Sequence, residues 1–261
     1  MKNRPFLTVF TMDKTLKFEI CANSAASCLA AQEGGAHRVE LCAGIPEGGT
    51  TPSWGEVKAA RHLLTTTRLY VIIRPRGGDF LYSELEQEIM IADIEAMREL
   101  GADGVVIGCL TAEGDLDLPL MQRLKQAAGG MDVTCHRAFD MCRDPRQALE
   151  QLISIGIKRV LTSGQQPTAE QGIPLLAELV AQAGDRLSIM PGCKVNASNI
   201  DKIARMTGAH EFHFSARSSY ESGMKYRNPS VSMGGTVKID EYWKDVTDAC
   251  KVKETIGAVK N

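Results

Sequence analysis

Residues 18–44 read FEICANSAASCLAAQEGGAHRVELCAG. The two ends, FEIC and RVELC, alternate apolar and polar side chains in the way of half-buried strands. Between them, 24–33 carries helical spacing, opened by Ser24 as an N-cap and stopped by Gly34 and Gly35. A strand–helix–strand unit of this kind joins parallel strands by a right-handed crossover. The unit then repeats along the chain. Apolar β-rich runs recur at LYVIIR (69–74), GVVIGC (104–109), DVTCHR (132–137), RVLTSG (159–164), SIMPGC (188–193) and EFHFSA (211–216). Helical stretches fall between them at 53–64, 85–100, 117–128, 144–155, 170–183 and 196–206. Eight units in about 200–250 residues predict a single-domain (β/α)8 TIM barrel. The competing open doubly wound sheet would carry GxGxxG after its first strand, where this chain has Cys-Ala-Asn-Ser at 21–24. Residues 1–17 form an N-terminal extension, with Met12 as an alternative initiator, and the domain occupies 18–261. After Arg217 the rhythm breaks into a long polar loop, and 240–259 reads as a closing helix.

Composition narrows the function classes. The chain has 261 residues, 44% of them hydrophobic, 5% aromatics and a net charge of −2. That balance offers no basic face for nucleic acid and no acidic tail, so the expected partner is small. No window reaches the ~20 apolar residues of a membrane span, and the N-terminus lacks a signal-peptide pattern. A cytoplasmic protein is expected, with homo-oligomerisation open. Its eight cysteines include no CxxC pair, and in a reducing compartment they serve metal, redox or packing roles.

Function in a barrel sits at the C-terminal strand ends, and strand parity selects the side chains that face inward there. It places Glu19 and Cys21, Glu40 and Cys42, Ile72 and Arg74, Thr134 and His136, and His213 and Ser215 inside. Within IIRPRGGDF (72–80), Arg74 is expected beside Glu40, as a structural ion pair or as a fork for a ligand. Arg76 with Gly77 and Gly78 reads as an anion cradle, and Ser215 as a further ligand contact. Glu19, Glu40, Arg74, His136 and His213 together offer a base, an acid and an electrostatic clamp. Two histidines and a carboxylate among them are also a weak pattern for a catalytic metal.

Six blocks carry a resemblance: EGGTTPS (47–53), IRPRGGDF (73–80), HRAFDM (136–141), RVLTSGQ (159–165), HFSAR (213–217) and RNPSVSM (227–233). In this order they resemble the copper homeostasis protein CutC family, over a span from about Phe18 to the C-terminal helix. The resemblance implies a TIM barrel, a role in copper tolerance and Cu(I) bound through Cys21 and Cys42. Those two share a Glu-x-Cys pattern on neighbouring strands, and soft thiolates suit Cu(I). The alternative is two cysteines packed as small hydrophobes. One departure is Met-Pro-Gly-Cys-Lys-Val at 190–195, where relatives carry mostly glycine. The second function class is an enzyme acting on a small anionic metabolite, a phosphate or carboxylate, at the barrel mouth.

Overall fold

A computed structural model of the chain describes residues 15–234, 237 and 239–260, so the extension before Thr15, with Met12, lies outside the described residues. Eight parallel strands form one sheet: β1 (Lys17–Ala22), β2 (Arg38–Leu41), β3 (Arg68–Ile72), β4 (Gly104–Ile107), β5 (Asp132–Cys135), β6 (Arg159–Thr162), β7 (Ser188–Pro191) and β8 (Glu211–Phe214). Each pairs with its sequence neighbour from β1 to β7, β8 pairs with β1, and β7 lies against β8 to bring the ring together. The crossovers carry α1 (Ala25–Glu33), α2 (Trp54–Leu63), α3 (Glu84–Glu99), α4 (Leu118–Ala128), α5 (Pro145–Ser154), α6 (Ile173–Ala183) and α7 (Ile200–Thr207). The fold is the (β/α)8 barrel that the repeat predicts.

Local chemistry sets the boundaries. Ser24, Ser53, Asp117 and Asp144 each accept a hydrogen bond from a backbone N–H in the first turn of the following helix. Ser83 and Glu86 form a reciprocal capping box at the start of α3. Gly101 and Gly156 end their helices at φ +77 and +74, conformations that cost other residues about 1–2 kcal/mol.

The core lies between barrel and helices. Ile20, Val39, Leu41, Leu69, Val71, Val105, Val133, Val160 and Phe212 point outward into it and are buried. Each such side chain contributes roughly 1.5–3 kcal/mol of burial. The intervening positions face the barrel interior, which this chain fills with charge.

The chain after β8 departs from the predicted loop and long helix. Arg217–Glu221 (β9) and Trp243–Thr247 (β10) form an antiparallel ribbon, with Trp243 opposite Glu221 and Thr247 opposite Arg217. The last helix, α8, runs only over Ala249–Gly257, because Asp248 accepts from the N–H groups of Cys250 and Lys251 and fixes its start there. The ribbon is tied to the first repeat by Asn23, which donates to the Asp245 carbonyl at 2.9 Å, and by the Thr247 N–H, which donates to Ser27 at 3.0 Å.

Candidate functional site at the barrel mouth

The N-terminal half of the interior is an ionic layer. Arg38 donates through Nε to Glu19 and through Nη2 to Glu211 at 2.7 Å. Arg159 donates to Glu211 at 3.1 Å and to Thr134 at 3.2 Å. The Tyr70 ring lies against both cations, with each guanidinium carbon 5.1 Å from its centroid. Gly104 makes room for this ring, since a Cβ there would sit 2.6 Å from it. Arg38 and Glu211 were legible, because they stand two residues before inward-facing Glu40 and His213 on the same strands.

Above that layer, His213 Nδ1 lies 2.8 Å from Glu19, and its Nε2 is 3.6 Å from Glu40. Burial opposes the His213 charge, but hydrogen bonds to Cys21 and Glu19 and the charges of Glu40 and Glu19 raise its pKa to about 10. For Glu19, burial is outweighed by the Arg38 charge and the His213 bond, which hold the carboxyl down at about 2. Glu40 goes the other way: burial raises it to about 8, with the His213 charge only partly opposing. At neutral pH, His213 is therefore an imidazolium and Glu40 a carboxylic acid.

Cys21 and Cys42 occupy the next level. In register, Cys21 faces Glu40 rather than Cys42, so the thiols do not stand at matching height. The tilt of barrel strands still brings the two sulfurs and a Glu40 oxygen within 4.8 Å of one another. The hydrogen bond from Cys42, assisted by His213 and Arg217, holds the Cys21 thiol well below its usual range despite burial. Arg217 Nη2 donates to Cys21 Sγ at 3.4 Å. The same hydrogen bond, together with burial, pushes the Cys42 thiol up. Glu19, Glu40 and His213 also converge within 4.8 Å, with His213 Nδ1 held 2.8 Å from Glu19. His136 belongs to neither cluster.

The rim rearranges the expected cations. Glu40 is in register with Tyr70, and Arg74 stands four residues further along, about 13 Å up the strand direction. No Arg74–Glu40 pair forms. The Arg74 fork instead donates to the carbonyls of Glu47 (2.9 Å), Gly49 (2.8 Å) and Gly78 (2.7 Å), clamping two loops that wall the mouth. Arg76 turns away from the cavity, donating to Glu86 at 2.6 Å, Asp79 at 3.0 Å and the Leu81 carbonyl at 2.7 Å. The expected cradle around Arg76 therefore does not face the mouth. His136 and Ser215 do line the cavity, joined by Asp140, Lys194 and Arg217, which parity along the strands could not reach because they follow the strand ends. Asp140 accepts from Thr162 (2.5 Å), Ser163 N–H (3.0 Å) and Arg137 (2.7 Å).

Cys193 and Lys194 sit at φ +78 and +58, in the left-handed region. This explains the glycine that the family resemblance leads one to expect there. Lys194→Gly relieves about 1–2 kcal/mol of backbone strain and costs about 0.5–1 kcal/mol of unfolded-state entropy. Its thermal midpoint is accordingly expected to equal or slightly exceed the parent's, and a clear fall in a melting experiment would contradict this.

A model of the CutC family matches residues 16–218. A family protein CutC from Bacteroides thetaiotaomicron is 65% identical over 248 residues, covering 95% of this chain and 100% of that one. A solved structure from Streptococcus agalactiae, named for copper homeostasis as CutC, superimposes with a TM-score of 0.74 at 34% identity, over 77% of this chain and 99% of that chain. Thiamine phosphate pyrophosphorylase from Pyrococcus furiosus superimposes with a TM-score of 0.57 at 14% identity, over 93% and 95% of the two chains, a likeness of fold alone.

Proposed function

Since the chain belongs to the CutC family, we propose that it serves copper homeostasis in the cytoplasm, binding Cu(I) through Cys21 and Cys42. The observation that carries this reading is the meeting of both sulfurs and Glu40 within 4.8 Å, with the Cys21 pKa lowered by its hydrogen bond with Cys42. The donor set fits a soft monovalent ion. Thiolates are soft ligands, whereas the third group, Glu40, keeps its proton at neutral pH and competes poorly as a ligand. Tetrahedral zinc would lack two of its four ligands. No helix among the described residues is long and apolar enough to cross a membrane, so the ion would be held rather than conducted through a span. Cys21 and Cys42 would hold the ion as soft sulfur donors. The chain's part is to lower the Cys21 pKa through Cys42, His213 and Arg217 and to deliver the second thiol, Cys42, beside it.

The test is anaerobic competition for Cu(I) against a chromogenic chelator. Cys21→Ser with Cys42→Ser is expected to lose about 100-fold or more in affinity, on the order of 3 kcal/mol. Zinc binding is expected to be weak in both proteins. Wild-type affinity in the double variant would place copper elsewhere.

A further inference from the structure

The cavity at the mouth encloses about 620 Å³, which a single copper ion leaves almost entirely unfilled. Volumes of about 300–1,000 Å³ are those of small-molecule sites. Ile72, Phe80, Leu161 and Val195 give it apolar walls, suited to a carbon skeleton. The wall also carries a polar group that neither the ionic layer nor the thiols engage. His136 is 4% exposed, and among the described residues its Nε2 has no hydrogen-bond partner. Its Nδ1 accepts from the Ala138 N–H at 3.1 Å, so the neutral ring must carry its proton on Nε2. Burial, with the Arg74 charge, lowers its pKa to about 3, and the ring stays neutral. Two neighbours hold this donor in place. Gly108 leaves space for the ring, since a Cβ there would lie 2.5 Å from Nδ1, and the Phe80 ring packs 5.1 Å from it. A buried donor fixed in tautomer and plane, yet without an acceptor, is costly unless something fills the role.

The rim adds charge. Lys194 and Arg217 line the same cavity, and Lys194 forms no salt bridge among the described residues. Among the described residues two carboxyl groups line the wall, Glu40 and Asp140, and Asp140 is already satisfied by Arg137, Thr162 and Ser163.

We infer that the mouth binds a small organic anion, a carboxylate or phosphate ester. One of its oxygens accepts from His136 Nε2–H, its charge faces Lys194 and Arg217, and its carbon skeleton lies against Ile72, Phe80 and Leu161. This site shares the cavity and Arg217 with the copper reading, but its neutral donor, His136, is outside the thiol cluster.

The experiment is calorimetric titration of copper-free, reduced protein with glycerol 3-phosphate, lactate and inorganic phosphate. An organic probe is expected to bind, and more tightly than inorganic phosphate; glycerol 3-phosphate against lactate separates the phosphate and carboxylate sources. His136→Phe is expected to weaken that probe roughly tenfold or more, while His136→Gln, which can offer an N–H at the same place, retains most of the affinity. Lys194→Ala is expected to weaken binding mainly at low salt. Cu(I) competition on the His136→Phe protein is expected to give the wild-type affinity, so loss of copper and loss of this site are read separately. Should His136→Phe fail to fold, the His136 Nε2–H resonance of the wild type must shift on adding the probe. Absence of binding by every probe at millimolar concentration, an unmoved resonance, or equal affinity in His136→Phe and wild type overturns the assignment.

Discussion

Arg38→Met is expected to lower the unfolding free energy by about 3–5 kcal/mol, the range for breaking a buried ion pair from one side. Arg38 is 3% exposed and bonds two carboxylates at once, Glu19 and Glu211. Without it, Glu211 keeps Arg159 and Glu19 keeps His213, but each loses a partner in a place that water does not reach. Methionine matches the length of the side chain and would lie near Met190, whose sulfur already touches Arg38 Nη2 at 3.2 Å, so cavity formation is not the main cause. Arg38→Met combined with Glu19→Gln should cost less than the sum of the two single changes, because both remove the same ion pair. Urea unfolding with unchanged m-value measures both. A loss below about 1 kcal/mol in the single variant would mean that the layer accommodates an unpaired carboxylate, and the electrostatic account would fall.

Stability should also decline from neutral toward alkaline pH, and His213 is the chief cause. Its folded pKa of about 10 lies above the ordinary 6.5, so the folded state holds the proton more tightly. That contribution is complete below pH 6.5 and is lost as pH rises through 10. Glu40 acts in the same direction, its contribution complete below 4.5 and lost through about 8. Cys21 opposes them, because a lowered thiol pKa adds stability that is full above 9 and is lost as pH falls through the lowered value. Cys42, whose thiol its hydrogen bond with Cys21 and burial push up, and Cys28, Cys135 and Cys142, pushed up by burial, act with His213 and Glu40 above pH 9, so the net change is a fall. On the acid side, Glu19 contributes fully above 4.5 and less as pH falls toward 2, so the optimum is expected on the mildly acidic side of neutrality. Chemical unfolding across the alkaline range should show the decline in the wild type and a flatter profile in His213→Gln. Parallel profiles would show that His213 folds neutral.

Much of this was readable in the chain itself. Alternation within FEIC, RVELC and EFHF places Glu19, Cys21, Glu40, Cys42 and His213 in the interior, because parity depends only on a period of two. Relative height is different: it follows from strand stagger, which no single strand encodes, and so Arg74 was expected beside Glu40 when its partners are backbone carbonyls of two loops. Carbonyl groups leave no mark in a sequence. Arg76 was misjudged for a related reason, its acidic partners Asp79 and Glu86 lying close by in the chain where they read as surface charge. The β9–β10 ribbon escaped notice because RSSYE and WKDVT carry little apolar alternation, and an exposed ribbon needs none. His136 was identified as inward, but its empty donor depends on the Ala138 N–H having claimed the other nitrogen.

The contact between Glu19 and His213 joins groups 194 residues apart, and it lies on the seam where the first strand meets the eighth. Synthesis proceeds from the N-terminus at about 5–20 residues per second, so β1 and β2 leave the ribosome many seconds before β8 exists. During that interval Cys21 has neither His213 nor Arg217 beside it, and of the groups that lower its pKa only Cys42 has been made. Part of what lowers the Cys21 pKa is thus supplied only when β8 and β9 close against β1, and a chain truncated before β8 carries the same two cysteines without the His213 and Arg217 contributions.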